Sequence, residues 1–397
     1  MSTVEIKNPG SYQVSSQLRT LFVVLTFLGF MVFVVALLTD PKRAWSGFVL
    51  NHFYFMSLAL GGVFFASLQW LTGAMWSAPV RRVTESLTAY LPFVVITSIV
   101  MFFGIHNLFH WSHDEVVQSD PILLGKSGYL NVTFFIVRTL VIVGLWLFFA
   151  KKLIGNSILQ DSKPGDYSIT LKNKALSPLF IIVFALSYTV VSFDQIMSLD
   201  PHWFSTIFGV YCFAGLFYST LALTCLITIG LKRTGHLEGV VNENHLHDLG
   251  KFMFAFTIFW AYIAFSQFML IWYANMPEET GYYLKRFDHD WFYVSIFLLV
   301  GKFIIPFFAL LTRGAKRSES RLVKVAIFML FAQFVDVLWL VEPEFFKHGP
   351  QNLLVDLGIA LGFIGVFGLF VSKFLSKHNV LAVGDPRLAE SVHHHHQ

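Results

Sequence analysis

The stretch TLFVVLTFLGFMVFVVALLT, residues 20–39, contains twenty consecutive residues without a charged side chain. At about 1.5 Å per residue, a helix of roughly this length crosses the hydrocarbon core of a bilayer, which is about 30 Å thick. Ten runs of this kind recur along the chain, with approximate limits at residues 18–39, 45–69, 87–109, 128–150, 177–199, 203–231, 249–273, 291–312, 322–341 and 351–375. The sequence therefore predicts an all-α polytopic membrane protein with about ten transmembrane helices.

The composition supports this prediction and narrows the function. Hydrophobic residues make up 55% of the chain and charged residues only 13%, which is far from the average of a soluble domain. The two cysteines, Cys212 and Cys225, lie in one apolar run, so a disulfide framework and a cysteine metal cluster are both excluded. No C-x-x-C-H haem attachment motif occurs. Any redox cofactor is therefore expected to be non-covalent or to belong to a partner.

The basic residues are concentrated in alternate loops. Twenty lysines and arginines lie on the side that carries both chain ends, and six lie on the other side. Because cytoplasmic loops are enriched in Lys and Arg, this asymmetry predicts that both termini are cytoplasmic. Topology thereby accounts for the net charge of +4, and nucleic-acid binding is not indicated. The four histidines at 393–396 are either native or the remnant of a purification tag.

An acidic motif repeats near the ends of two predicted spans. Span 5 ends with Asp194 and Asp200-Pro201, and span 9 ends with Asp336 and Glu342-Pro343, so both read D-x5-[DE]-P. The copies are four helices apart and therefore share one orientation, which predicts a parallel repeat. The predicted segments are residues 1–44 with the N-terminus and first helix, 45–199 with spans 2–5, 203–341 with spans 6–9, and 342–397 with the tenth helix and the cytoplasmic tail.

Each motif is preceded, one helix earlier, by a basic residue inside an apolar run. Arg138 in span 4 is expected about 15 Å below the outer end, close to the bilayer midplane, with Asp194 about 8 Å deep. A charge at the centre of the membrane costs about 2.5–3.5 kcal/mol unless it finds a partner. We therefore predict that Arg138 pairs with Asp194, and that Lys302 pairs with Asp336 in the second copy.

Two interpretations of these buried charges remain open, a proton or ion relay and static ion pairs that lock the helices. In the relay interpretation, the second carboxylate of each motif lies at the outer surface and offers an exit. The proton-path candidates are Asp194, Asp336, Arg138, Lys302, His52, His106, Asp356, Asp200 and Glu342. The histidine-rich run at 106–115 is either a metal site or a solvated rim, and its spacing matches no zinc pattern. No catalytic residue and no metal ligand is assigned.

The ten-span layout, the D-x5-[DE]-P repeat and two outer sequences resemble a known family. The outer sequences are HNLFHWSHDE at 106–115 and QFMLIWYANMPEET at 267–280, of which the second is the more specific. Nearly the whole chain resembles the ActF family, the NrfD-like (polysulfide-reductase-type) integral membrane subunits of bacterial alternative complex III.

The resemblance implies a subunit of a quinol-oxidising respiratory complex in the bacterial inner membrane. In that family the quinol site is placed in the larger NrfD-like paralogue ActC, next to the iron–sulfur subunit ActB. Haems are carried by ActA and ActE, and ActD is a further subunit. For this chain the resemblance implies no redox centre of its own, menaquinone or its quinol within the complex, contacts with lipids and with a terminal oxidase, and a role as scaffold and candidate proton path.

Two other functions also remain open. A second quinone-binding subunit would use aromatic clusters such as the one at 252–260, which lipid-facing packing explains equally well. A secondary transporter would suit the repeat and the buried charges. Transporters usually have helices broken by Gly or Pro at mid-membrane, and here only Pro92 and Pro306 come close.

Overall fold

The computed structural model describes residues 8–163 and 165–392, and their regular structure is helical apart from one isolated bridge between Ser11 and Asn379. Ten of the helices are long and apolar enough to cross a bilayer, which confirms the predicted all-α polytopic fold. They are α1 Ser16–Thr39, α2 Pro41–Thr72, α3 Ala78–Phe102, α4 Val132–Asp161, α5 Tyr167–Leu199, α6 Phe208–Arg233, α7 Glu243–Ala274, α8 Trp291–Ala309, α9 Glu319–Glu344 and α10 Leu353–Lys377. Lys7, which entered the loop-charge count, and the histidines at 393–396 lie outside the described residues.

Both ends of the described chain lie at the same end of the molecule. The Tyr12 amide donates to the Leu375 carbonyl at 2.9 Å, which joins the N-terminal segment to the end of α10. We call this the inner end and the opposite one the outer end. Short helices lie at both ends. Those at the outer end are Ile105–Leu108, Asp114–Ser119, Pro121–Lys126 and Pro277–Phe287, and those at the inner end are Arg313–Arg317 and Leu388–Val392.

Each group of four consecutive helices closes on itself. In the first bundle α2, α3, α4 and α5 contact each other in order and α5 returns to α2, and α6 to α9 repeat this arrangement. The two bundles meet through α2, α5, α6 and α9. Helix α2 also contacts α1 and α10, and its most apolar stretch is completely buried. The residues of this stretch are therefore shielded from lipid.

The flanking helices α1 and α10 pack closely through glycines. A Cβ added to Gly29 would lie 2.2 Å from the Gly362 Cα atom, so no larger residue fits at this crossing. Gly358 and Gly362 are four residues apart on α10, the spacing that lets two transmembrane helices approach closely. Asp40 ends α1 and caps α2, since its side chain accepts the Arg43 amide at 3.1 Å.

The third span differs from its predicted limits of 87–109, because α3 begins at Ala78 and ends at Phe102. The sequence interpretation assigned Arg81 and Arg82 to a loop because they are charged. In the structure both are buried against acidic partners, so the helix can begin before them. A 3-10 turn at Thr88–Tyr90 interrupts α3 just before Pro92.

Candidate functional site

Buried ionisable side chains define the candidate site. Among the described residues we distinguish three clusters toward the outer end and one at the inner end, with further buried pairs of Arg81 with Asp385 and of Arg286 with Glu344. Each cluster joins at least two helices. Pairing of this kind is expected in a bilayer, because an isolated charge has no water to solvate it.

The second bundle holds an ion pair between Lys302 and Asp336. Lys302 Nζ lies 2.6 Å from Asp336 Oδ2 and 2.6 Å from Gln333 Oε1. Tyr211 donates its hydroxyl to Asp336 Oδ1 at 2.5 Å, and the Trp260 ring centre lies 4.2 Å from the ammonium. Lys302 has no exposed surface. The predicted pair is confirmed, and all four helices of the bundle contribute to it.

The backbone around Lys302 is irregular for an identifiable reason. Helix α8 is wound as a π-helix over Leu298–Ile304, a geometry that is rare and often found at functional sites. Pro306 lies four residues after Lys302 and has no amide hydrogen, so it cannot bond the Lys302 carbonyl as a regular helix would. The Tyr218 hydroxyl donates to that carbonyl instead, at 3.3 Å. The second bundle therefore positions both the side chain and the backbone of Lys302.

A cavity of about 290 Å³ adjoins this cluster. Its walls are mostly apolar and aromatic, and are formed by Tyr211, Trp260, Ala261, Ala264, Phe265, Phe268, Tyr283, Phe287, Ser295, Ile296, Leu298, Leu299, Phe303 and Trp339. Of the aromatic cluster at 252–260, Trp260 is the aromatic residue that reaches this cavity. Two hydroxyl groups of the cavity lining already donate hydrogen bonds within the protein. Tyr211 donates to Asp336, and Ser295 donates to the Arg286 carbonyl.

The first bundle holds the pair Arg138–Asp194. Arg138 Nε lies 2.9 Å from Asp194 Oδ2, and its NH2 group lies 3.0 Å from Oδ1, so the contact is bidentate. The guanidinium also donates to the Tyr129 carbonyl at 2.9 Å and lies 3.8 Å from the Tyr129 ring centre. The predicted pair is confirmed. Burial and the nearby Asp194 carboxylate raise the pKa of Tyr129 to about 12.

The predicted distance of Arg138 from the outer end of its helix is wrong. Arg138 lies six residues after the start of α4 at Val132, which is about 9 Å below that end instead of about 15 Å. Asp194 lies in the last turn of the α-helical part of α5, which ends at Gln195. The apolar run begins before the helix does, because Asn131 caps α4 through the Phe134 amide at 2.9 Å. Arg138 remains 10% exposed in its side chain.

The third outer cluster contains one cation and two carboxylates. Arg43 of α2 bonds Glu342 at the end of α9 through NH1 and Asp356 of α10 through NH2. All three side chains are at most 2% exposed. Glu342 was expected at the outer surface and is instead completely buried, because Arg43 of α2 covers its carboxylate and joins it to Asp356 of α10. Arg43 was missed, since its position next to Lys42 suggested an ordinary loop charge.

Asp200, the repeat counterpart of Glu342, does lie near the outer surface. Lys285 donates to Asp200 Oδ2 and to Glu344 Oε2, each at 2.7 Å. Burial opposes the charge on Lys285, but Glu344 and Asp200 together raise its pKa above the ordinary value for lysine. The neighbouring Arg286 is fully buried and bonds Glu344 Oε1 at 3.2 Å. This second layer of charges covers the outer end of the second bundle.

The two candidate histidines occupy different environments. His52 of α2 is 1% exposed, its Nδ1 atom lies 2.8 Å from Thr97 Oγ1, and Nε2 has no hydrogen-bond partner among the described residues. His106 is exposed at the outer rim, where its Nδ1 atom lies 3.1 Å from Ser112 Oγ. The described part of the chain contains no group of three or more His, Cys, Asp or Glu arranged to hold a metal.

An inner cluster was not anticipated. Arg82 bonds Glu85 Oε2 at 2.6 Å and Asp161 Oδ2 at 2.7 Å, and Ser157 donates to Glu85 Oε1 at 2.5 Å. The chain after α10 folds back over this cluster, where the Gly384 amide donates to Asp161 Oδ1 at 3.0 Å. The i,i+3 spacing of Arg82 and Glu85 is the local signal that could have indicated the first contact.

A second buried contact lies beside the inner cluster. Arg81 pairs with Asp385 of the C-terminal segment. A cavity of about 10 Å³, large enough for roughly one water molecule, lies between them and Ser157. Ser157 bonds Glu85, so a water there would connect the C-terminal segment to the buried carboxylate of α3.

The clusters are separate from one another. Within 8–163 and 165–392, no side-chain hydrogen bond joins the Lys302, Arg138, Arg43 and Arg82 clusters. Any transfer of charge between them needs intervening water or a movement of side chains. No protein-family model matches this chain, and no curated protein matches it either.

Proposed function

We propose that this chain is a proton-conducting subunit of a membrane complex and carries no redox centre of its own. The observation that carries the proposal is the Lys302–Asp336 pair, which is fully buried in the core of the second bundle with Gln333 and Tyr211 as hydrogen-bond partners. The contact atoms of both side chains can gain or lose a proton. One proton can therefore move from the Lys302 ammonium to the Asp336 carboxylate without changing the net charge of the pair.

A purely structural role explains this cluster less well. Replacement of a buried ion pair by apolar residues of similar volume is often neutral or stabilising, so buried pairs are weak devices for stability. The cluster also lies in a π-helical segment, where Pro306 leaves the Lys302 carbonyl to accept a hydrogen bond from Tyr218. Ionisable residues inside membrane spans commonly mark proton or ion pathways.

The positions of the other clusters support a further partial path besides the Lys302–Asp336 pair of the second bundle. In the first bundle, Glu85 lies toward the inner end and the Arg138–Asp194 pair toward the outer end, with the buried His52 on α2. The absence of a side-chain connection between these groups, within the residues that the structure describes, suits a gated path better than an open channel. A continuous chain of hydrogen-bonded groups across the membrane would let protons leak through and would dissipate a proton gradient.

We also propose that the subunit works in a quinol-oxidising complex of the alternative complex III type. The support is the sequence resemblance to the ActF family, through residues 106–115 and 267–280. The second of these sequences ends α7 with large exposed side chains, since Trp272 is 67% and Tyr273 83% exposed. An outer rim of this kind suits contact with lipid headgroups or with a neighbouring subunit. The partners would be ActA to ActE and a terminal oxidase.

The first experiment identifies the partners. The chain is affinity-tagged at its natural expression level, and the complex is extracted in a mild detergent and analysed by mass spectrometry. We expect a multi-haem cytochrome c, an iron–sulfur protein and an NrfD-like paralogue to co-purify. Isolation of the chain alone, or with an unrelated transport protein, would contradict the assignment to a respiratory complex.

The second experiment measures protons. The purified complex is reconstituted in proteoliposomes, and proton release is recorded per electron passed from quinol. Asp336→Asn and Asp194→Asn should retain electron transfer and release fewer protons. Asp288→Asn is the matched control, because Asp288 is an exposed outer carboxylate. Unchanged proton release in well-assembled Asp336→Asn and Asp194→Asn complexes would reject the relay.

A quinone site is the second candidate function, favoured by the 290 Å³ cavity beside Tyr211 and Trp260. The aromatic walls would take a quinone ring, although two of the nearby hydroxyl groups already donate within the protein. A photoreactive quinone analogue distinguishes the candidates. We expect it to label an ActC-like partner in preference to this chain, whereas predominant labelling of α7 or α8 here would favour the quinone site.

A secondary transporter is less well supported. Helices α3 and α8 are irregular near Pro92 and Pro306, but both stay helical through 3-10 or π turns. Unwound segments, which expose backbone carbonyls to an ion in many transporters, do not occur at either position.

A further inference from the structure

The Arg43–Glu342–Asp356 cluster differs from the other two outer clusters in its balance of charge. Lys302 and Arg138 each face one aspartate, so those pairs are neutral overall. Arg43 faces two carboxylates at once, one from α9 and one from α10. With every group ionised, this cluster would carry a net charge of minus one in the interior of the protein.

The surroundings cannot compensate that charge. Arg43 is 2% exposed, and Glu342 and Asp356 have no exposed surface. An uncompensated carboxylate in an apolar interior loses its hydration, and the usual outcome is that it takes up a proton. Arginine stays charged in proteins, so one of the two carboxylates is the group that must change.

Among the described residues, no second cation forms an ion pair with these carboxylates from the neighbouring elements. At the end of α1, Asp40 is exposed and accepts the Arg43 amide. On α2, Lys42 is exposed and forms no ion pair with either carboxylate among the described residues. After α9, Glu344 is engaged by Lys285 at 2.7 Å. On α10, Asp356 is itself the charged residue of the first turn.

Each carboxyl group of the cluster has one oxygen atom that is free, among the described residues, to hold a proton. Glu342 Oε1 and Asp356 Oδ1 are buried and have no hydrogen-bond partner among the described residues. A Cβ added to Gly47 would lie 2.7 Å from Asp356 Oδ1, so the glycine leaves just enough space for this oxygen. Asn51 fixes the backbone here, since its amide donates to the Asp356 carbonyl at 3.3 Å.

We infer that Glu342 and Asp356 share one exchangeable proton, and that this cluster is the protonated store at the outer end of the molecule. The proton belongs to the coupled pair rather than to either carboxyl alone. Release of the proton would leave two carboxylates on Arg43, and its return would restore neutrality. That this proton is passed on to another group rests on the proposed function. That the proton is present follows from the charge count alone.

Infrared spectroscopy of the purified complex tests the inference directly. At neutral pH we expect a C=O stretching band of a protonated carboxyl group that shifts in D₂O. Glu342→Gln and Asp356→Asn should each abolish this band, because either change leaves Arg43 with one ionised partner. Asp194→Asn is the matched control and should leave the band in place, since that pair is already balanced.

Two outcomes would overturn the inference. If both single variants lose an ionised carboxylate band and no protonated one, both groups are ionised, and a second cation such as Na⁺ must balance them. If neither variant assembles while Asp194→Asn does, Arg43 with one carboxylate is not a balanced arrangement, and the shared proton is rejected.

Two further results separate this inference from the proposed function. A protonated band that both variants abolish, together with no proton release by the wild-type complex in proteoliposomes, supports the shared proton and rejects the proposed function. Absence of that band from the wild-type complex, together with intact proton release, rejects the shared proton and supports the proposed function.

Discussion

Asp200 and Glu342 occupy the same position of the D-x5-[DE]-P repeat, but Asp200 bonds the partly exposed Lys285 while Glu342 is sealed against Arg43. The difference arises because Arg43 of α2 covers the Glu342 carboxylate and joins it to Asp356 of α10. Asp200 faces Lys285 of the short helix Pro277–Phe287, which also bonds Glu344. A repeat in sequence has thus become two unlike sites.

The first prediction concerns the stability of the Arg43 cluster. Arg43→Gln removes the only cation bonded to Glu342 and Asp356 among the described residues, so two buried carboxylates must both be neutralised. We expect a loss of about 3–5 kcal/mol in stability, the usual effect of removing one partner of a buried ion pair. Glu342→Gln should be much milder, since Arg43 keeps Asp356. Thermal unfolding of the purified proteins in detergent measures both, and equal effects would contradict the charge count.

The second prediction compares the two balanced pairs. Asp336→Asn leaves Lys302, which has no exposed surface, without a counter-ion, and should lower the stability of the protein by about 3–5 kcal/mol. Asp194→Asn should cost less, because Arg138 is 10% exposed and keeps the Tyr129 carbonyl and ring. Replacing Lys302 by Met in the Asp336→Asn background should restore part of the loss. Unfolding temperatures of the single and double variants test this, and an order opposite to the one expected would contradict the difference in burial.

The third prediction concerns the α1–α10 crossing. Gly29→Val places side-chain atoms against the Gly362 backbone, which cannot move aside without separating the helices. Overpacking of this kind typically costs about 1–3 kcal/mol, occasionally more. Gly144→Val in α4 is the control, because no atom lies within 4 Å of an added Cβ there. The melting temperature in detergent should fall for Gly29→Val alone. A similar fall in both variants would indicate a general effect of valine.

The fourth prediction concerns orientation in the membrane. Ser119 at the outer end and Ser162 at the inner end are both exposed, so a cysteine at either position should react with a water-soluble maleimide. The native Cys212 and Cys225 are buried and should stay unlabelled. In intact cells a reagent that does not cross the inner membrane should reach Ser119→Cys only. Labelling of Ser162→Cys from outside would reverse the predicted topology.

The fifth prediction is a pH effect on the C-terminal segment. Burial, with Arg82 nearby, lowers the pKa of His378 from its ordinary value. The detached segment then binds a proton more tightly than the docked one, so docking is favoured above about pH 6.5 and weakened as the pH falls below it. Exchange of the Gly384 amide, which donates to Asp161, should accelerate on acidification after correction for intrinsic rates. His378→Gln should remove that acceleration.

Much of the architecture could be predicted from the sequence because membrane insertion is decided locally. Each apolar run of sufficient length must satisfy its own backbone as a helix, so runs of residues report spans directly. The pairing of Lys302 with Asp336 was also predictable, since a charge within a span needs a partner and the repeat offered one at the same place in each copy. The limits of α3 were not predictable, because Arg81 and Arg82 look like loop charges until their partners are known.

The sequence by itself determined the number of spans and two of the ion pairs, both of which depend on hydropathy and spacing along the chain. Only the tertiary structure decided that Arg43 meets Glu342 and Asp356, and that Arg81 meets Asp385. These partners are about three hundred residues apart in sequence, with separations of 299, 313 and 304. Hydropathy carries no information on which helix ends meet across such distances. The central position of α2 brings Arg43 to the ends of α9 and α10. A charged residue that looks like a loop residue in the sequence thereby becomes part of a buried site.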